Sequence, residues 1–176
     1  MAPPARPARA TGDDLAQSGG GPACGLLRAG YLAVWLGFSV LATVAQVALA
    51  GAGLVDPLGR SVDAWLTAAL LAAAGLYQFS ALKDACLARC RRPLVFFMEH
   101  WEEGPWRMGL RLGAVCLGCC WALMALAFVG GTMNLVWRGG AMVLMVLEKL
   151  PDPGRRLTRP VGVALLAASL GVLMTG

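Results

Sequence analysis

Residues 110–129 read LRLGAVCLGCCWALMALAFV, and Arg111 is the one charge in the run. A stretch of this length and apolarity is what an α-helix needs to cross the ~30 Å hydrocarbon layer of a bilayer. It has no polar face to turn toward water. It also carries three thiols, Cys116, Cys119 and Cys120. Fold and chemistry are therefore to be read from the same residues.

Working outward, comparable runs cover Ala29–Val55, Val62–Leu87, Met133–Leu150 and Val161–Thr175. The last is short for a span of ~20 residues, which predicts local thinning of the bilayer or tilted packing. Of the 176 residues, 58% are hydrophobic and 14% charged, against roughly 25% charged in soluble domains. The pattern predicts an all-α fold, a polytopic membrane helix bundle over 29–176 with about five transmembrane helices. Residues 1–28 are rich in Pro, Ala, Gly and Arg and lack the apolar centre of a signal peptide. They are expected to form a disordered cytoplasmic tail.

Charge sets the expected orientation. Arg6, Arg9 and Arg28 precede the first run. Lys83, Arg89, Arg91, Arg92, Arg107 and Arg111 lie between the second and third, and Lys149, Arg155, Arg156 and Arg159 between the fourth and fifth. The other side carries Arg60, with Arg138 inside the fourth run. The positive-inside rule then places the N-terminus in the cytoplasm and the C-terminus outside, in a cell (inner) membrane. The net charge of +5 is accounted for by these loops, and no aromatic-and-basic stripe points to nucleic acid. Arg138 lies near the outer end, within reach of snorkelling. Between the second and third runs, Leu94, Phe97, Met98 and Trp101 share a helical face. Pro93–Met108 is therefore expected to be an interfacial amphipathic helix. Gly130-Gly131-Thr132 predicts a tight outer turn joining antiparallel neighbours.

The six cysteines are Cys24 and two groups, Cys86/Cys90 and Cys116/Cys119/Cys120. Cys86 and Cys90 are one turn apart and can converge on one ion. Cys116 shares a face with Cys119 or Cys120, whereas Cys119 and Cys120 point about 100° apart. Both groups fall at similar depth near the cytoplasmic face, where structural disulfides are disfavoured. Thiols with Met124 nearby suit Cu(I) first and Zn second. His100, the sole histidine, is a further candidate ligand, brought in by the interfacial helix. A lone thiol in an apolar helix is usually a small packed hydrophobe; two groups at one depth make the metal reading specific. Glu148 and Lys149 are expected to pair locally, Gln46 and Gln78 to hydrogen-bond between helices, and Gly109-x-x-x-Gly113 to pack helices. With no phosphate loop, triad or carboxylate pair, the chain is expected not to be an enzyme.

The stretch from Tyr77-Gln78-Phe79-Ser80 through Lys83-Asp84-Ala85-Cys86 to Cys90-Arg91-Arg92-Pro93 resembles the signature of a bacterial family of predicted metal-binding integral membrane proteins, one of the domains of unknown function. His100-Trp101, Cys116 through Met124, Gly131-Thr132-Met133-Asn134-Leu135 and Glu148-Lys149 continue the resemblance, which covers roughly Gly30–Leu173. It implies that Cys86, Cys90, Cys116, Cys119 and Cys120 are the ligand candidates. Three departures stand out. A further Met- and Trp-rich N-terminal helix is missing, Ser80-Ala81 replaces Thr-Pro, and Leu112 replaces a histidine in the third run. The expected role is to bind a soft metal, copper favoured, for trafficking or delivery to a cytosolic or membrane partner protein. Two alternatives are a metal-free scaffold or subunit, in which Lys83 and the basic loop dock a partner or anionic lipid, and a thiol redox protein using a thiolate beside Lys83 or Arg111.

Overall fold

The computed structural model describes residues 21–175. Residues 1–20, most of the tail expected to be disordered, lie outside the described residues. The rest is all-α. Helices α1 (Pro22–Gly51), α2 (Ala64–Tyr77), α3 (Ala81–Cys90) and α4 (Pro93–Glu99) are followed by a 3-10 turn (Trp101–Glu103). Then come α5 (Pro105–Ala125), its short continuation α6 (Ala127–Gly130), α7 (Leu135–Lys149) and α8 (Pro151–Thr175). Local chemistry sets several starts. Proline in the first turn opens α1, α4 and α5, where its missing N–H costs no hydrogen bond. Asp63, Ser80 and Asn134 accept from the backbone N–H of Leu66, Lys83 and Trp137 at 2.7, 3.1 and 3.1 Å and cap α2, α3 and α7.

Three helices, Pro22–Gly51, Pro105–Gly130 and Arg156–Thr175, are long and apolar enough to cross a membrane. The bent pair α2–α3 makes a fourth if it is one span. The sequence pattern suggested about five. The difference is α7, whose 15 residues rise only about 22 Å, less than the hydrocarbon layer; Met133 and Asn134 belong to its turn and cap. The last helix is longer than expected, because it continues through Pro160 instead of starting after it. The first begins at Pro22, ahead of Ala29.

The second expected span is broken. α2 and α3 meet at 64°, because the Ser80 hydroxyl caps a new helix where the old one would have continued. Gln78 lies in this break, buried, with neither side-chain polar atom partnered among the described residues. The expected interhelical hydrogen bond is therefore not made. The amphipathic segment is also split. α4 stops at Glu99, and Trp106–Met108 belong to α5. Leu94 and Met98 point outward at 78% and 80% exposure, while Phe96 is the buried side chain. Of the apolar face read from spacing, Leu94 and Met98 are thus turned away from the protein while Phe97 packs against its core.

α1 and α5 run parallel and touch through glycine. A Cβ on Gly109 would overlap the Leu27 carbonyl oxygen, and one on Gly30 would overlap that of Trp106. Gly113 packs the same way against Val34, so the small-residue spacing does join helices. Beyond this seam α1 presents exposed Leu36, Leu41, Val44 and Val47, a surface suited to lipid rather than water. Gly109→Leu should force the two backbones apart. Overpacking typically costs about 1–3 kcal/mol; thermal unfolding in detergent should show a lowered midpoint, with Gly37→Leu, in open space, as the comparison. On the other flank α8 packs antiparallel to α2, with the Ser169 hydroxyl donating to the Ala68 carbonyl at 2.8 Å. Gly131, at φ +93°, makes the expected turn, after which α7 returns antiparallel along α5.

Candidate metal centre

The bend at Gln78–Ser80 turns α3 against the middle of α5. Cys86, Cys119 and Cys120 are buried together with Leu87, Phe96 and Val115, and Cys90 packs against that cluster. Cys86 Sγ rests on Gly118, where a Cβ would crowd it. Sulfurs of the two sequence groups meet: Cys90 Sγ lies 3.9 Å from Cys119 Sγ. With metal–sulfur bonds of about 2.3 Å, that separation closes an S–metal–S angle of about 116°. This is an edge of a trigonal or tetrahedral site, not a linear one.

The remaining thiols are held differently. Cys119 and Cys120 both donate to the Cys116 carbonyl at 3.0 Å. The 100° between their side-chain directions is thus bridged by one acceptor. Cys116 Sγ accepts from Lys149 Nζ at 3.4 Å and from the Tyr31 hydroxyl at 3.7 Å. His100 is engaged elsewhere. Its ring stacks on Phe96 at 4.7 Å, with Nδ1 2.9 Å from the Phe96 carbonyl oxygen and Nε2 3.5 Å from Arg111. Among the described residues no three His, Cys, Asp or Glu side chains gather as a metal-binding group. The arrangement can offer two thiolates at one edge and leaves further coordination positions open.

Behind the thiols sits an ion pair that spacing did not reveal. Lys83 Nζ donates to Glu148 Oε2 at 2.8 Å, with side chains 1% and 2% exposed. Arg91 donates twice to the Glu148 carbonyl, at 3.1 and 2.7 Å. The expected local pairing of Glu148 with Lys149 is therefore replaced by a tie between α3 and α7. Lys149 is left to the Cys116 sulfur. Lys83, being buried, is not available to dock a partner or lipid, nor is it the cation nearest a thiol. Tyr31 and Lys149 had no readable signal, since their partners lie 85 and 33 residues away. Arg138 reaches back to the Thr132 carbonyl at 3.1 Å, toward the Gly131 turn.

A family model described as a copper chaperone, PpoB2, matches residues 1–172. The chain belongs to this copper-chaperone family. No curated protein and no solved structure matches it. Membership in the PpoB2 family agrees with the metal that thiol softness favours.

Proposed function

We propose that this protein carries Cu(I) within the membrane, bound at the Cys90–Cys119 pair, and delivers it to a partner protein. The 3.9 Å contact between thiols from two different helices is the observation that carries the reading. The copper-chaperone family supports it, and the soft sulfur donors suit Cu(I) over harder ions. On binding, each coordinating thiol gives up its proton and the ion sits between α3 and α5. A third ligand from the receiving protein can then enter an open position and draw the ion off.

In this reading the N-terminus is cytoplasmic and the C-terminus outside, α2–α3 forms one broken span, and α7 is a short crossing beside α5 and α8. The Arg-rich α3–α5 connection then lies on the cytoplasmic side, together with Cys90, at the membrane face where a partner has access. The test is elemental analysis and Cu(I) titration of protein purified in mild detergent under reducing conditions. About one Cu(I) per chain should bind tightly. Unchanged binding after all five membrane cysteines are replaced by Ser would sink the reading.

A further inference from the structure

Sulfur extends beyond the cysteines. Cys116, Cys120 and Met124 succeed one another at four-residue steps on α5. Across from them, Met142 and Met145 stand one turn apart on α7. All five line one cavity of about 560 Å³ between α1, α5 and α7. Trp137 and Arg138 line it at the Gly131-turn end of α7, and Lys149 at the other. A second cavity, about 370 Å³, has Cys90 in its wall, and Tyr31, Cys116 and Lys149 line both. Cys116 therefore stands between the methionine-lined space and the Cys90 side of the thiol pair.

Methionine in a helical protein usually fills irregular gaps. Met142 does not, because it is 67% exposed at the rim of the cavity. Lipid would be met equally well there by Leu. Three thioethers from two helices and two thiols thus line one space, a donor set suited to a soft ion.

We propose that Met124, Met142 and Met145 form a second soft-metal site, a thioether site that receives Cu(I) and passes it through Cys116 to the Cys90–Cys119 pair. This rests on the copper-carrying function proposed above. A neutral thioether binds Cu(I) without losing a proton and holds it less tightly than a thiolate, so the gradient runs from the methionines to the cysteines. The ion stays Cu(I) throughout. Each Cu–S(Met) bond that breaks is replaced by a Cu–S(Cys) bond, and the thiol proton is released to solvent.

The test is an anaerobic Cu(I) titration of the full chain in detergent against a chromophoric Cu(I) chelator, with stopped-flow loading. Wild type should show one tight and one weaker ion. M124L/M142L/M145L, which conserves volume, should keep the tight ion, weaken the second by at least about tenfold and slow loading of the tight site by a similar factor. M142L/M145L, confined to α7, provides the same readout if the triple variant does not fold. A weaker ion unaffected by either variant, or a wild type without one, overturns the thioether site. A wild type that shows the weaker, methionine-dependent ion but no tight one overturns the function proposed above instead.

Discussion

Replacing either Cys90 or Cys119 by Ser is expected to weaken Cu(I) binding by more than about 100-fold. Removing an outer-shell partner of a metal ligand already costs 10–100-fold, and a directly bonded thiolate contributes more. A 100-fold loss corresponds to about 2.7 kcal/mol. With two sulfurs at one edge, each substitution leaves that edge with a single thiolate. The hydroxyl that replaces the thiol is a hard donor poorly suited to Cu(I). Competition against a Cu(I) chelator measures the effect. Cys24→Ser and His100→Ala serve as comparisons and should bind as wild type, because Cys24 is not among the residues packed on the thiol cluster and His100 is turned onto Phe96 and Arg111. Equal affinity in the Cys90 and His100 variants would place the site elsewhere.

Glu148→Gln should be the most destabilising single exchange outside the metal centre, by roughly 3–5 kcal/mol, the usual cost of stranding one partner of a buried ion pair. Lys83 would keep its charge in a fully enclosed position with no carboxylate opposite it. Lys83→Met should cost a similar amount by stranding the carboxylate, whose Oε1 is already without a partner among the described residues. The double replacement Lys83→Met/Glu148→Leu removes both charges and should recover most of the loss. Reversible unfolding in mixed detergent micelles measures all three. Additive single and double effects would mean that the pair does not couple α3 to α7.

Much of the fold was legible because length and apolarity, which fit a helix to cross a bilayer, are local properties of the chain. The all-α class, the small-residue seam at Gly109 and Gly113 and the turn at Gly131 belong to this part. The break at Gln78–Ser80 was less so. Ser80 is a common cap, but in an apolar run it reads equally well as a tolerated polar residue. α7 looked longer because Met133 and Asn134 continue its composition although they form its turn and cap. Pro160 looked like a start and is a helix interior. In the site, the two thiol groups were visible as types and spacings. That Cys90 and Cys119 form the close pair depends on the angle at which α3 meets α5. His100 was drawn to the thiols by its chemistry, but local stacking on Phe96 one turn away holds it.

The Lys83–Glu148 tie also constrains how the protein is made. The two residues are 65 positions apart. At ~5–20 residues per second of translation, the ammonium of Lys83 therefore waits about 3–13 s before its carboxylate has been synthesised. During that interval Lys83 lacks the carboxylate it pairs with in the folded protein and the segment Ala64–Cys90 has a bend in its middle, and a charged group is costly at membrane depth. Its final seating must follow the emergence of α7. The thiol pair is thus assembled late in biogenesis, so a ribosome-bound chain ending before Glu148 should not yet hold α3 in its final position.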